Sequence, residues 1–178
     1  MKIFITGEPK IGKTTLIKEL SDVLMKRGVE ISGFITSDLI SEGKRVGFTI
    51  IDIVTKEERI FASKNIETKY KFGSYYLNID NLDEIFNKIV KGDYEVLIID
   101  EIGKMEFYSK NFRENINYLM KSETNILSTL HRDFVENFKI YGKIFTLTSN
   151  NREIVKNEIL KLMIKGEKKW TNKMKKEK

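Results

Sequence analysis

The spacing of apolar residues predicts strands and helices that alternate along the chain. Residues 2–6 form a short apolar run with β-forming residues, which is typical of a buried strand. Residues 14–27 instead carry apolar side chains three and four positions apart, as an amphipathic helix does, and Gly28 stands where such a helix would end. The same two patterns predict further strands at 29–36, 45–54, 58–62, 74–79, 96–100, 125–129 and 143–148, and helices at 81–90, 111–120 and 153–164.

This alternation predicts the fold class. Strands that alternate with helices of this length are typical of an α/β fold with a mainly parallel sheet flanked by helices. The strands at 45–54 and 58–62 are separated by only three residues, so we expect an antiparallel hairpin added at one edge of the sheet. Because no linker divides the chain, we expect one domain over residues 1–164, followed by a lysine-rich tail over 165–178.

Composition excludes several classes of protein. The 178 residues are 40% hydrophobic and 33% charged, which is a globular composition. Cysteine is absent and His131 is the single histidine, which excludes disulfides, thiolate metal sites, cysteine nucleophiles and multi-histidine metal centres. No apolar run approaches the ~20 residues of a membrane helix, and the start does not resemble a signal peptide. These features predict a cytoplasmic protein, which we expect to be a monomer without a membrane partner.

The net charge of +6 comes mostly from the end of the chain. Residues 165–178 hold seven lysines and two glutamates, a net charge of +5, which leaves 6 − 5 = +1 for residues 1–164. A nearly neutral body does not predict a nucleic-acid partner. We therefore interpret the tail, which includes Trp170, as a solvated terminus, with a weak contact to nucleic acid as the alternative.

The residues after the first predicted strand match a phosphate-binding loop, G-x-x-x-x-G-K-[ST]. In this loop, glycines let backbone N–H groups turn towards phosphate oxygens, the lysine contacts the β- and γ-phosphates, and the last hydroxyl ligates Mg²⁺. A strand before the loop and a helix within it are the context that the motif requires. The predicted nucleotide-binding residues here are Gly7, Glu8, Pro9, Lys10, Ile11, Gly12, Lys13, Thr14 and Thr15.

A second apolar strand ends in two carboxylates. At the carboxyl end of a parallel strand, Asp100 would hold Mg²⁺ together with Thr14, with ordinary solvated acids as the alternative. Adjacent strand residues point to opposite faces, so Glu101 is free for another role, the activation of a water molecule. Lys13, Asp100 and Glu101 are therefore the predicted catalytic residues. Leu97, Ile98, Ile99, Asp100, Glu101, Ile102, Gly103 and Lys104 complete this part of the predicted nucleotide site.

Three stretches resemble motifs of the THEP-type nucleoside-triphosphatases, the P-loop family that includes the cancer-related nucleoside-triphosphatase. They are Asp100-Glu101-Ile102-Gly103-Lys104-Met105-Glu106, Gly33-Phe34-Ile35-Thr36 with Gly43-Lys44-Arg45-Val46-Gly47-Phe48, and Thr148-Ser149-Asn150-Asn151-Arg152. The resemblance covers residues 1 to about 164 and departs at Lys10, where the family often has glycine. It implies a RecA-like fold and slow, Mg²⁺-dependent hydrolysis of several nucleoside triphosphates to diphosphate and phosphate, with loose base selectivity.

Several further residues have a functional and a structural interpretation. Arg45, Lys104 and Arg132 are candidates to stabilise charge in the transition state, although each could equally be a surface residue. Asn151 and Arg152 follow the last predicted strand and could contact the base, or Asn151 could cap a helix. We expect His131 to be structural and Glu106 to support the site or to pair within its loop.

Two alternative functions stay open on the sequence. A nucleoside or nucleotide kinase would need an acceptor pocket and usually an arginine-rich lid, whereas the six arginines are dispersed. A nucleotide-dependent nucleic-acid-binding module would need aromatic residues among the basic ones, and the tail offers Trp170 alone. A nucleoside triphosphate is the predicted substrate, with Mg²⁺ as cofactor.

Overall fold

The computed structural model describes residues 1–174, with side chains through Ile164. This part of the chain contains nine strands and five α-helices, and two single-turn 3₁₀ helices, Glu106–Tyr108 and Arg132–Phe134. The strands are β1 (Lys2–Thr6), β2 (Ile31–Ser41), β3 (Lys44–Asp52), β4 (Glu58–Ser63), β5 (Lys71–Phe72), β6 (Tyr75–Leu77), β7 (Val96–Ile102), β8 (Asn125–Leu130) and β9 (Lys143–Thr146). The helices are α1 (Lys13–Lys26), α2 (Ile79–Val90), α3 (Lys110–Lys121), α4 (Val135–Phe138) and α5 (Arg152–Met174).

All nine strands belong to one sheet, in the order β5-β6-β4-β3-β2-β7-β8-β1-β9. The five strands from β2 to β9 in that order are parallel, and β3, β4, β5 and β6 extend the sheet through antiparallel pairs. Strand β8 lies between β1 and β7, so the phosphate loop and the acidic strand are not neighbours. Because parallel strands end at the same edge, the loop after β1 and the residues ending β2, β7 and β8 converge there.

Side chains on the two faces of the sheet fill two separate cores. Leu97 and Ile99 of β7 pack with α2 and α3, whereas Val96 and Ile98 pack with α1 and α5. This alternation on a fully buried strand explains why the run 96–99 is apolar throughout. Helices on both faces therefore fix the central strands, and with them the edge where the polar groups gather.

The predicted fold class is confirmed, including the antiparallel hairpin of β3 and β4. Every predicted strand and helix is present, but some bounds differ. Strand β2 was expected to end at residue 36 and continues to Ser41, because it pairs there with β3. Strand β9 ends at Thr146 instead of residue 148. Strand β5, helix α4 and the two 3₁₀ helices were not predicted.

The last helix extends beyond its predicted end at residue 164 and reaches Met174. The predicted tail over 165–178 thus begins inside this helix, while residues 175–178 and the side chain of Trp170 lie outside the described residues. None of the helices within residues 1–174 has the length and apolar composition needed to cross a membrane.

Gly33 allows β2 and β7 to approach each other closely. Its φ is 145°, and a Cβ atom added there would lie 2.1 Å from the Ile98 carbonyl oxygen, inside the parallel pair. Gly28, just after α1, also has a positive φ of 83°, but an added Cβ would meet no atom within 4 Å. Both glycines therefore have a positive φ, but only Gly33 is crowded by neighbouring backbone.

We expect Gly33→Ala to lower the free energy of unfolding by more than about 4 kcal/mol, because backbone in the sheet must move apart. Gly28→Ala, the matched control, should lose only about 1–2 kcal/mol, the usual cost of a left-handed residue with a side chain. Urea unfolding followed by circular dichroism measures both. Equal losses in the two variants would contradict the argument from crowding.

Candidate functional site

The phosphate loop joins β1 to α1 through a backbone that includes several residues of positive φ. Gly7 and Gly12 have φ values of 146° and 95°, and Lys10 has 64°. A Cβ on Gly7 would lie 2.6 Å from the carbonyl oxygen of Leu147, so a larger residue does not fit there. Lys10, where the family often has glycine, thus has its backbone in the left-handed region. This conformation is uncommon for a residue with a side chain.

Lys13, the first residue of α1, folds back over the loop. Its Nζ donates to the carbonyl oxygens of Gly7 and Glu8, at 3.0 Å and 3.3 Å. The ammonium group therefore spans the mouth of the loop next to the helix N-terminus. A phosphate group entering the loop would find this cation already in position.

Asp100 is the polar centre of the site. It is 1% exposed, and its carboxylate accepts hydrogen bonds from the hydroxyls of Thr129 at 2.6 Å, Thr36 at 3.1 Å and Thr14 at 3.2 Å, and from the Thr36 backbone N–H at 3.3 Å. These donors come from α1, β2 and β8, so one carboxylate connects the ends of four elements. Its contact with Thr14 places it beside the phosphate loop.

The oxygen atoms of Asp100 and Thr14 are suitable ligands for a magnesium ion. Thr14 and Asp100 offer a hydroxyl and a carboxylate oxygen, which are the hard ligands that Mg²⁺ prefers. Within the described residues, no group of three or more His, Asp or Glu side chains forms a complete metal cage. A site with few protein ligands suits Mg²⁺, because this ion usually keeps water molecules and binds substrate phosphates as well.

Glu101 follows Asp100 in a segment where the pairing of β7 with β8 is irregular, between Ile99 and Ile102. Glu101 lines the cavity above the loop, where burial raises its pKa to about 7, although Lys13 acts in the opposite direction. A carboxyl group with a pKa near neutrality can both accept and release a proton at physiological pH.

Glu106 is a second buried carboxyl group near Glu101. It is 4% exposed, and burial, with a smaller contribution from Glu101, raises its pKa to about 8. Both side chains flank Gly103: a Cβ there would lie 2.7 Å from Oε2 of Glu106 and 3.5 Å from Cδ of Glu101. Glu106 forms no ion pair with any described residue. This agrees with a supporting role more than with pairing inside its loop.

A cavity of about 610 Å³ is lined by the phosphate loop and by residues from other strands. This volume is within the range of small-molecule sites. In its wall on β2 and β3, Arg45 was a predicted site residue, whereas Ser37 and Asp38 were missed, since nothing local marks these two as close to the loop. The lining residues are Gly7, Pro9, Lys10, Gly12, Lys13, Thr14, Thr15, Lys18, Thr36, Ser37, Asp38, Arg45, Phe48, Glu101, His131 and Arg132.

The three candidate cations differ in position. Arg45 and Arg132 line the cavity, where Arg45 lies 3.4 Å from Asp38 and Arg132 bonds both oxygens of Glu8 at 2.7 Å and 2.8 Å. Lys104 is absent from the lining and pairs with Asp133. In the described structure each of these cations is therefore next to a carboxylate of the chain itself.

His131 caps a short helix at the cavity wall. Its Nδ1 accepts a hydrogen bond from the Asp133 backbone N–H at 3.2 Å. Burial lowers its pKa, and the nearby Asp133 opposes this shift. The capping bond agrees with the structural role that we expected for this histidine.

Asn151 and Arg152 are turned towards the protein and do not line the cavity. Asn151 accepts from the Thr148 N–H at 2.8 Å and donates to the Thr146 carbonyl at 2.9 Å. Arg152 donates to the Gly12 carbonyl at 3.1 Å and pairs with Glu19 at 2.9 Å, so it supports the phosphate loop from behind. These contacts give both side chains a role within the fold, and the base contact expected from the sequence stays a prediction.

The apolar part of the predicted site needs correction. Leu97, Ile98, Ile99 and Ile102 are completely buried in the two cores, because the strand that carries them is covered on both faces. Their side chains therefore do not reach the cavity. Thr36 and Thr129 instead contact Asp100, and only Thr36 had a sequence signal, as the last residue of the motif that starts at Gly33.

Comparisons with known proteins agree with this geometry. The model of the NTPase family matches residues 2–160. The nucleoside-triphosphatase THEP1 of Methanocaldococcus jannaschii is 43% identical over 169 residues, covering 93% of this chain and 99% of the relative.

Two solved structures are similar to the whole described domain. The crystal structure of THEP1 from Aquifex aeolicus has a TM-score of 0.78 at 35% identity, covering 92% of this chain and 99% of that one. The solution structure of a human cancer-related nucleoside triphosphatase has a TM-score of 0.74 at 27% identity, covering 90% and 96%. The family model, these relatives and the phosphate loop together establish that the chain belongs to the THEP1 family of nucleoside-triphosphatases.

Proposed function

We propose that this protein hydrolyses nucleoside triphosphates to diphosphate and phosphate with Mg²⁺, accepts several bases and turns over slowly. The observation that carries the proposal is the Asp100 carboxylate, 3.2 Å from the Thr14 hydroxyl at the phosphate loop, with Glu101 next to it on the cavity. A loop for phosphates, oxygen donors for a hard cation and a titratable carboxyl group are the parts that triphosphate hydrolysis needs. We further propose a cytoplasmic monomer that acts without nucleic acid.

The loop and Lys13 would bind the triphosphate. Backbone N–H groups and the lysine ammonium neutralise phosphate charge before the reaction begins, so little rearrangement is needed. Thr14 and Asp100 would hold Mg²⁺, which supplies further positive charge next to the phosphate oxygens when it is bound. Positioning and electrostatics then provide most of the catalysis.

Glu101 would activate the water molecule. The water oxygen forms a bond to the γ-phosphorus, the bond from that phosphorus to the bridging oxygen breaks, and the diphosphate leaves. Glu101 accepts the proton that the water loses, and its pKa near 7 suits this exchange.

Slow turnover is supported by the pairing of the candidate cations. Arg132, Arg45 and Lys104 are next to Glu8, Asp38 and Asp133, so each must leave a carboxylate before it can stabilise transition-state charge. Broad base selectivity is supported by Asn151 and Arg152, whose side chains are used within the fold.

Phosphate release from ATP, GTP, CTP and UTP, with and without Mg²⁺, tests the proposed reaction. We expect activity with all four, differing in kcat/KM by less than about a thousandfold, since the residues assigned to the reaction contact phosphate and metal, which all four substrates share. Lys13→Ala should abolish turnover and weaken triphosphate binding, because it removes the cation of the loop, while the Tm without ligand changes little. Activity without Mg²⁺, or wild-type turnover in Lys13→Ala, would contradict the proposal.

The two adjacent carboxylates should have separable roles. Glu101→Gln removes the proton acceptor and should lower kcat on the order of 100-fold or more, with binding of Mg²⁺ and nucleotide retained. Asp100→Asn should instead raise the Mg²⁺ concentration needed for activity as well as lower the rate. Steady-state kinetics across a Mg²⁺ titration distinguish the two. Near-normal activity of Glu101→Gln would assign the water to another group, such as Glu106.

Glu106 should make the fold less stable as pH rises. Its folded pKa of about 8 is above its usual value, so the folded chain binds more protons than the unfolded one between these values. Relative to Glu106→Gln, the wild type should lose at most about 1.4 kcal/mol of unfolding free energy per pH unit between about pH 4.5 and 8. Urea unfolding at intervals from pH 5 to pH 9 measures this, and parallel curves for the two proteins would show that Glu106 is not protonated in the fold.

A further inference from the structure

One wall of the cavity is a hairpin that projects past the edge of the parallel sheet. Strand β2 pairs with β7 only as far as Phe34, opposite Ile99, yet it continues to Ser41 in antiparallel pairing with β3. Seven residues of extended chain measure roughly 23 Å, so the hairpin reaches well beyond the point where Asp100 ends the acidic strand. It therefore stands beside the phosphate loop as a separate surface.

One face of this hairpin begins beside Asp100 and extends away from it. Thr36 donates its hydroxyl to Asp100, and Asp38, two residues further along β2, lies on the same face. Phe48 of β3 is directly opposite Asp38, and side chains of such a pair also share a face. An aromatic ring and a carboxylate thus lie about 7 Å along the strand from the group that would hold the metal.

The Phe48 ring is held in place by its neighbours. Its centroid is 5.3 Å from that of Tyr75, in an edge-on contact, and 5.0 Å from Cζ of Arg45. Arg45 in turn lies 3.4 Å from Asp38. Phe48, Arg45 and Asp38 all line the cavity, so they bring an aromatic ring, several N–H donors and a carboxylate acceptor to it, with the Arg45 guanidinium lying over one face of the ring.

We propose that Phe48, with Arg45 and Asp38, forms a subsite for a nucleobase. The inference rests on the proposed function and adds a place where a base binds in this cavity, which Asn151 and Arg152 do not line. Every base has a flat π-face, so stacking on the Arg45 guanidinium that covers Phe48, or on the opposite face of the Phe48 ring, is tolerant of base identity. Arg45 and Asp38 can also bond the edge of the base or a ribose hydroxyl. A subsite of this kind accounts for binding without strong base selectivity.

Two molecules can supply the base. One is the triphosphate itself. Its terminal phosphate would lie near Asp100, where this face of the hairpin begins, so the molecule would have to bend for its nucleobase to reach Phe48. The other is a second nucleoside or nucleotide, which could enter along the hairpin while the triphosphate occupies the loop. The chemistry recognised is the same, and separate measurements distinguish the two sources.

The test uses the full chain and four variants. Phe48→Leu keeps apolar bulk but loses the aromatic face, Phe48→Trp keeps an aromatic face, and Asp38→Asn removes the carboxylate charge. Ile40→Ala is the control on the same hairpin, since Ile40 is exposed and does not line the cavity.

KM and kcat for ATP and CTP are measured by phosphate release. Calorimetry measures the binding of adenosine and of AMP to the chain loaded with Mg²⁺ and a non-hydrolysable ATP analogue. Thermal unfolding followed by circular dichroism confirms that each variant folds.

We expect Phe48→Leu to weaken one of these interactions about 10-fold or more, the worth of one base–aromatic stack, with Phe48→Trp close to the wild type. A higher KM for ATP and CTP identifies the triphosphate as the source of the base. Weaker adenosine or AMP binding at unchanged KM identifies a second nucleotide. The proposal is wrong if Phe48→Leu changes neither quantity, or if Phe48→Trp or Ile40→Ala loses as much as Phe48→Leu.

These outcomes are distinct from a failure of the proposed reaction. If the wild type released no phosphate while the analogue and AMP still bound in a Phe48-dependent way, the hydrolase assignment would fail and the subsite would remain. If phosphate release were normal and independent of Phe48, and neither adenosine nor AMP bound the loaded chain, the subsite would fail alone.

Discussion

The site depends on how a buried carboxyl group finds hydrogen-bond partners at the edge of the sheet. Asp100 is almost completely buried, and no lysine or arginine among the described residues forms an ion pair with it. Hydroxyl groups of Thr14, Thr36 and Thr129 donate the hydrogen bonds that a buried polar group requires. Since these threonines come from three different elements, the hydrogen bonds that satisfy the carboxylate also hold the parts of the site together. A bound cation would add a further partner for the same carboxylate.

The parts of the fold that the sequence predicts well are those whose periodicity reflects burial. Residues 96–99 are apolar on both faces because helices cover the sheet on both sides, and 14–27 is periodic because one helix face meets the core. The end of β2 escaped prediction because it contacts β3 rather than a core, so its residues need not be apolar. Strand β5 and helix α4 have two and four residues, too few for any periodicity to appear.

Site residues follow a similar division between local and distant contacts. The phosphate loop and the pair Asp100–Glu101 are recognisable because neighbouring residues act together, so their spacing carries the information. Arg152 bonds Gly12, which is 140 positions away, and no spacing rule could distinguish that contact from a base contact. Phe48 enters the cavity only through its pairing with Asp38, which requires the β2–β3 register.

The exposure of each ion pair indicates whether a bound substrate could draw the cation away from its carboxylate partner. Arg132 and Glu8 are mostly exposed, at 55% and 72%, so water screens their attraction and the pair contributes less than about 1 kcal/mol. Glu8 belongs to the phosphate loop itself, so an incoming triphosphate would compete for Arg132 at little cost. Arg152 is less exposed, at 28%, and also bonds the Gly12 carbonyl, so its release would leave a loop group without its partner. Arg132 therefore suits an exchangeable contact with phosphate, whereas Arg152 suits permanent support of the loop.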